Sequence, residues 1–342
     1  MLVTLSEAVK ILKSGHVLGM PTETVYGLAG RIDSDTAIHE IFSTKQRPFF
    51  DPLIVHVSDV LQAKTLVQEW SVAADLLARQ FWPGPLTLVL PKSEKISGLI
   101  TSGLDSVGIR CPAHLLAQSL IKQVGVPLAA PSANLFGRTS PTSFIHVESE
   151  FAGAIPVLDG GACDIGIEST VLLLKTVADQ FEIAILREGQ ILRSEIESCL
   201  THGGINFQFL TLVSNKESPG HLKHHYMPSV PLIYCRQNFQ NESSLCQAIE
   251  AQLKNIPSVV EGVRVQKPRS LDALRELILS PDPRLATREL YQKLRDLSSE
   301  RPDIIYFVEP ETFRQKDTQE PWLAIRDRLS KAASLILDED LA

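Results

Sequence analysis

AHLLAQSLIKQVGVPLAAPSAN, from Ala113 to Asn134, runs an amphipathic segment over Ala113–Val124 straight into a short apolar strand, Val126–Ala130, and then into the polar turn Pro131-Ser132-Ala133-Asn134. A helix followed at once by a strand marks an interleaved chain. Upstream the alternation repeats. Thr4 and Glu7 have capping-box spacing, and Leu5, Ala8, Val9, Ile11 and Leu12 recur with a helical period until Ser14-Gly15. A strand is expected over His16–Met20, a helix over Asp35–Thr44, a strand over Leu53–Val57 and a helix over Val72–Phe81, then strands over Leu86–Leu90 and Ser106–Arg110. Downstream, Ile155–Leu158, Glu168–Leu174 and Glu182–Leu186 are strand-like but separated by turn-rich pieces, so antiparallel pairing is expected there. Asp159-Gly160-Gly161 reads as a hairpin turn with both glycines at positive φ. The fold class is α/β (α+β): one large twisted mixed sheet with flanking helices.

A composition change from about Val213 to Pro231 reads as a linker, and a second alternating region follows. It holds strands over Leu232–Cys235 and Ile304–Val308, helices over Leu245–Leu253, Leu271–Leu279 and Leu290–Leu297, and a closing helix over Trp322–Leu337. The division is 1–212, a linker or lid at 213–230, and a small α/β domain at 231–342. With 342 residues, two domains are the expectation. Hydrophobic residues make up 44% and charged ones 21%, yet no apolar run approaches bilayer length, and Met1–Glu7 has no secretory pattern, so a cytoplasmic location is expected. Five scattered cysteines without a C-x-x-C pair argue against a disulfide framework or a structural zinc. A net charge of −7 gives no global attraction to nucleic acid.

Chemistry gathers in a few places. Lys45 and Arg47, a residue apart, and Ser132 and Asn134, also a residue apart, offer the cations and directional hydrogen bonds that a polyphosphate needs. Neither a P-loop nor a G-x-G-x-x-G turn occurs, so side chains would share the grip with backbone. Each piece also has a plain structural reading: the two cations answer a helix C-terminus on an exposed segment, His56 is a satisfied half-buried histidine, and Pro131–Asn134 is a turn. Pro21-Thr22-Glu23-Thr24-Val25-Tyr26-Gly27-Leu28 reads as a loop, and Trp82-Pro83-Gly84-Pro85 as a rigid turn with a buried indole.

Taken in series, the chain resembles the YrdC-type threonylcarbamoyladenylate synthases. The resemblance rests on Pro21–Leu28, Lys45-x-Arg47-Pro48, Pro52-Leu53-Ile54-Val55-His56, Trp82-Pro83-Gly84-Pro85-Leu86-Thr87, Val107–Arg110, Pro131–Asn134, Glu168-Ser169-Thr170-Val171 and Leu186-Arg187-x-Gly189. It extends over Ser218-Pro219-Gly220, His225-Tyr226 and Pro228 into a Rossmann-like C-terminal domain of the two-domain form. It implies formation of threonylcarbamoyl adenylate and pyrophosphate from L-threonine, bicarbonate or CO2, and ATP with Mg2+ held by phosphates rather than by protein side chains. The product serves a downstream tRNA threonylcarbamoyl transferase machinery, with direct tRNA contact left open and no membrane partner. By the same resemblance Lys45, Arg47, Ser132 and Asn134 form the catalytic signature. Arg47, Asp51, Ser106, Ser132, Ser140, Arg187 and Tyr226 face ATP, and Thr24, His56, Arg110, Ala130 and Ser169 face L-threonine. Asp51 stands where asparagine is usual, and His221, Leu222 and Lys223 depart from the usual linker. Two rivals are a carbamoyl-adenylate-forming carbamoyltransferase, which would need zinc-finger cysteines, and a non-catalytic RNA-binding protein.

Overall fold

The computed structural model describes residues 1–210, 224–237, 239, 241–252, 254, 256, 258–260, 263–268, 270–313 and 320–338. They form two compact units. The larger takes Met1–Leu135 and the described residues from Ser140 to Leu210; the smaller takes Phe136–Thr139 and the described residues from His224 on.

In the larger unit, β1 (Leu2–Val3), β2 (Leu18–Met20), β3 (Gly27–Arg31), β4 (Val55–His56), β5 (Leu86–Pro91), β6 (Ser106–Arg110), β7 (Leu128–Ala129), β8 (Val157–Leu158), β9 (Thr170–Val177), β10 (Gln180–Arg187) and β11 (Phe207–Phe209) make one mixed sheet. Among the described residues its order is β1, β8, β2, β3, β7, β4, β6, β5, β9, β10, β11. The helices are α1 (Leu5–Lys13), α2 (Asp35–Lys45), α3 (Val60–Lys64), α4 (Val72–Phe81), α5 (Gly98–Thr101), α6 (Leu115–Val124), α7 (Phe144–Glu150) and α8 (Arg193–His202). The capping box forms as expected: Glu7 N–H donates to Thr4 Oγ1 at 3.3 Å and Thr4 N–H to Glu7 Oε2 at 2.8 Å.

Side-chain alternation along β2 and β3 divides the core between two faces. Leu18, Met20 and Ala29 pack with Ala8 and Leu12 of α1 and Leu120 and Ile121 of α6. Leu28 turns to the other face, among Ile38, Ile41 and Phe42 of α2 and Leu77 of α4. The antiparallel pairing expected late in the unit is β9 with β10, whereas β5 with β9 and β10 with β11 are parallel.

Asp159-Gly160-Gly161 is not a hairpin. The strand before it, β8, lies between β1 and β2 and is parallel to both. Gly161 has φ 79°, but Gly160 is glycine for space: a Cβ there would lie 2.5 Å from Pro21 Cβ and 2.7 Å from His114 Cε1. Tyr26 Oη clamps this turn, donating to the Gly161 carbonyl at 2.8 Å and accepting from Gly160 N–H at 3.0 Å. Part of the stretch read as a loop, Gly27 onward, is strand β3, where Gly27 allows the close approach of Ala130.

In the smaller unit, β12 (Leu232–Cys235), α9 (Glu242–Gln252), β13 (Val259–Val260), β14 (Val263–Arg264), β15 (Leu274–Glu276), α10 (Pro283–Ser299), β16 (Ile304–Val308), α11 (Leu323–Ala332) and β17 (Leu335–Leu337) follow in order. A parallel sheet runs β15, β16, β12, β17, while β13 and β14 form a separate hairpin. Two expectations fail here. The segment expected as a helix over Leu271–Leu279 contains strand β15: Leu271, Leu274 and Leu277 carry a helix-like spacing, but the backbone pairs with β16, and Leu277 N–H donates to the Tyr306 carbonyl at 2.8 Å. The closing helix ends at Ala332, and Ser334 N–H donates to the Leu232 carbonyl at 2.8 Å to start β17 against β12. Tertiary pairing overrides local periodicity in both. Residues 211–223 lie outside the described residues, and with them the 213–223 part of the linker, including His221, Leu222 and Lys223.

Phe136–Thr139 runs beside the far end of that linker. Met227 N–H donates to the Gly137 carbonyl at 2.8 Å, Thr139 N–H to the Met227 carbonyl at 3.1 Å, and Thr139 Oγ1 to the Tyr226 carbonyl at 3.1 Å. Arg295 from α10 donates to the Thr139 carbonyl. None of the described helices is long and apolar enough to cross a membrane.

A Gly160→Ala substitution is expected to destabilise the protein by about 1–3 kcal/mol through overpacking, whereas Gly98→Ala, where nothing lies within 4 Å of the new methyl, should change stability little. Denaturant midpoints of the two variants check this; equal midpoints would remove the close-packing account of Gly160.

Candidate functional site

The end of α2 places two cations in the protein interior. Gln46 adopts a left-handed conformation, φ 51°, and Arg47 N–H closes the turn on the Phe42 carbonyl at 2.9 Å. Lys45 is then 1% and Arg47 6% exposed, so the expectation of an exposed segment is corrected. Lys45 does not answer its own helix: Nζ donates to the Ser132 carbonyl and, at 2.6 Å, to the Asn134 carbonyl. Burial, then the charge of Arg47, pulls the Lys45 ammonium well below the ordinary lysine range. Arg47 donates from Nε to the Asp51 carbonyl at 3.1 Å and from Nη2 to the Pro52 carbonyl at 2.8 Å, and pairs with Asp51 Oδ2 at 2.9 Å. Asp51 is fully buried in this pair. Asn134 Nδ2 caps the Leu135 carbonyl at 2.7 Å, and Ser132 bridges Gly27 across the backbone.

A second group forms around Arg110. In the parallel pair of β4 and β6, His56 and Arg110 are register partners. The chain after β2 brings Glu23 and Thr24 to the same guanidinium. Nη1 donates to Thr24 Oγ1 at 2.8 Å, Nε to the Gly84 carbonyl at 3.2 Å, and Nη2 lies 2.6 Å from Glu23 Oε1. Burial would raise the Glu23 carboxyl, but the charge and hydrogen bond of Arg110 outweigh it and hold the group below its ordinary value. Burial first, and the charge of Arg110 second, push the His56 imidazole down to about 3, so His56 is a neutral ring. Ala130 is adjacent: its N–H donates to the Ile54 carbonyl at 3.1 Å, and a Cβ on Gly27 would meet Ala130 Cβ at 3.0 Å.

Ser169 and Arg187 meet across β9 and β10. Arg187 donates from Nε to the Ser169 carbonyl and from Nη2 to Ser169 Oγ, both at 3.1 Å, and Ser169 Oγ is 2.7 Å from Thr87 Oγ1. Ser140 Oγ donates to Glu168 Oε1 at 2.5 Å. Ser106 opens β6 and lines a small hollow with Pro52, Leu53, Ile54 and Gly108. Tyr226 is in the smaller unit at φ 64°, stacked on Tyr291 at 5.9 Å with the buried Arg328 guanidinium 5.0 Å from its ring. Glu23 and Glu168 stand inside the quoted motifs, but the sequence assigns neither a role. Their signal was position alone, an acid directly before Thr24 and another directly before Ser169. The described residues contain no cluster of three His, Cys, Asp or Glu suited to a metal ion.

Residues 10–189 match the family model described as "Telomere recombination" (Sua5, YciO and YrdC), and residues 191–334 match the model of the threonylcarbamoyl-AMP synthase C-terminal domain. Threonylcarbamoyl-AMP synthase of Pyrococcus abyssi is 36% identical over 330 residues, covering 95% of this chain and 93% of that protein. The Bacillus subtilis protein of the same name is 35% identical over 333 residues, covering 96% and 92%. The crystal structure of P. abyssi Sua5 complexed with L-threonine superposes with a TM-score of 0.78, at 32% identity, over 98% of this chain and 96% of that one.

A Lys45→Ala substitution is expected to lower stability by about 1–3 kcal/mol, because it takes the ammonium donor from two carbonyls in the interior; an unchanged denaturant midpoint would contradict the structural part of this residue's work. The His56 ring should read as neutral by NMR at pH 5, between its folded value of about 3 and the ordinary 6.5. Only the unfolded chain takes up that proton, so this contribution to stability is complete above about 6.5 and is lost as pH falls toward 3.

Proposed function

This chain belongs to the two-domain threonylcarbamoyl-AMP synthase family, which serves threonylcarbamoyladenosine formation in tRNA, and from that premise we propose how its residues divide the work. Lys45 and Arg47 hold the triphosphate of ATP, with Ser132 and Asn134 beside Lys45 on the loop after β7. Asp51, Ser106, Ser140, Arg187 and Tyr226 complete the nucleotide side; Thr24, His56, Arg110, Ala130 and Ser169 form the L-threonine side. The observation that carries this division is the pair of buried cation centres: Lys45 and Arg47 at the end of α2, and Arg110 with its neutral neighbour His56.

The chemistry needs no protein nucleophile. The amine of L-threonine takes up CO2 to give a carbamate, whose oxygen attacks the α-phosphorus while the bond to pyrophosphate breaks. Negative charge then grows on phosphoryl and leaving-group oxygens, so positioning and fixed cations supply the catalysis. Magnesium enters with ATP as part of the substrate. Asp51 is tied to Arg47 and Glu168 accepts from Ser140, which favours phosphate oxygens over these carboxylates as metal ligands. Asp51 also balances the charge of Arg47 and holds it in place within the interior, so that the guanidinium needs no reorganisation when phosphate arrives. The linker carrying Tyr226 acts as a lid against hydrolysis of the product. The product passes to a tRNA threonylcarbamoyl transferase machinery in the cytoplasm, and the chain divides functionally at 1–212, 213–230 and 231–342.

The deciding experiment measures pyrophosphate release from Mg-ATP with L-threonine and bicarbonate each present or omitted, together with mass detection of the adenylate. Release that needs both co-substrates is expected. Release with carbamoyl phosphate instead would favour a carbamoyltransferase. An Arg47→Ala change should lower kcat/KM by about 100-fold or more, and Arg47→Lys, which keeps a partner for Asp51 but loses the planar fork, should fall between. Wild-type turnover in both would overturn the triphosphate assignment.

A further inference from the structure

The Arg110 group contains more polar capacity than its internal bonds use. A guanidinium carries five N–H bonds. Nε is aimed at the Gly84 carbonyl and Nη1 at Thr24 Oγ1. Nη2 is different: it sits 2.6 Å from Glu23 Oε1 in a close ion pair whose hydrogen-bond alignment is poor, so the pair balances charge without using the full donor capacity of the guanidinium. Arg110, Glu23 and His56 are all more than nine-tenths buried. A buried guanidinium, a buried carboxylate and a neutral imidazole thus stand together with polar capacity to spare, and a cluster of this kind is a candidate place for a ligand to be met.

Thr24 has less freedom. Its hydroxyl accepts from Arg110 and lies 2.9 Å from Thr22 Oγ1, which itself donates to the Val25 carbonyl at 2.6 Å. The proton between the two hydroxyls therefore belongs to Thr24, directed at Thr22. Arg110 is fixed on two sides, by Gly84 and by this hydroxyl chain, and compensated in charge on the third.

We propose that Glu23 is the positioning residue for the substrate carboxylate. Its charge balances and orients the Arg110 guanidinium in the interior, while the offset of the ion pair leaves N–H capacity on the terminal nitrogens for the carboxylate of an α-amino acid. The inference rests on the synthase reading and adds a residue to it. A carboxylate aligned on both terminal nitrogens would have saturated Arg110; without a carboxylate, the buried guanidinium would have no counter-charge.

The test compares wild-type protein with Glu23→Gln and Glu23→Asp, measuring KM for L-threonine, KM for ATP, and inhibition by L-threoninol, which replaces the carboxylate by a hydroxymethyl group. Glu23→Gln should raise KM for L-threonine by about 10- to 100-fold, as expected for loss of a charge-assisted contact. The KM for ATP and the threoninol inhibition constant should change less than about threefold, within the range of neutral substitutions. Glu23→Asp, which keeps the charge at shorter reach, should recover part of the threonine affinity. Equal weakening of threonine and threoninol, or a parallel rise in the KM for ATP, would overturn the proposal. Should Glu23→Gln not fold, Glu23→Asp is read by the same ratios. Absence of threonine-dependent pyrophosphate release in the wild type would instead sink the synthase reading, so the two failures are separable.

Discussion

The bond network of the Lys45 ammonium is the constraint on which the candidate site depends. It joins the last turn of α2 to the carbonyls of Ser132 and Asn134, which are distant in sequence, and so fixes the loop after β7 against the helix. A lysine there answers two backbone acceptors at once, and the same charge would serve an incoming anion. The burial that pulls Lys45 toward neutrality is the circumstance in which an anion has the largest effect on it, because the surrounding dielectric screens little.

The Arg110 group repeats the device with a different partner. Lys45 is held by neutral carbonyls, whereas Arg110 is held by a neutral carbonyl, a hydroxyl and a carboxylate. Lys45 and Arg110 are thus balanced differently, one by carbonyl dipoles and the other by a full counter-charge, and the proposed division of phosphate and carboxylate between them draws on that difference. His56 stays neutral chiefly because burial disfavours a charged ring, and the positive charge of Arg110 beside it adds to that.

Much of this was legible from the residues. Helix α4, strand β6 and strand β16 occupy the spans that periodicity indicated, since each is strongly patterned and bounded by turn residues. The failures have a common cause. Leu274–Glu276 and Leu335–Leu337 became strands because parallel neighbours took up their backbone groups, and nothing local to those segments records a neighbour. The hairpin reading of Asp159–Gly161 failed for the same reason: Gly160 is set by Pro21 and His114, which are far away in sequence. At the candidate site, residue types and spacing pointed to Lys45, Arg47, Ser132 and Asn134, but not to the burial of the first two: Lys45 continues the buried face of α2 after Ile38, Ile41 and Phe42, and Arg47 follows the left-handed turn at Gln46. Glu23 was hidden because a single acid in a hydroxyl-rich stretch has no pattern until Arg110 is placed beside it.

Phe136–Thr139 bears on how this chain can be divided. Between Asn134 and Ser140 the polypeptide leaves the larger unit, contributes four residues to the smaller one, and returns. The boundary between units is thus not a point on the sequence but three crossings, and a single cut in the linker would not produce two whole pieces. A fragment ending before His224 would keep the Gly137 carbonyl and the Thr139 N–H and hydroxyl while losing the Tyr226 and Met227 groups that pair with them. Any shorter protein built on the same plan has to satisfy that span by other means, so the composition of those four positions should record whether a second unit was present when they were selected.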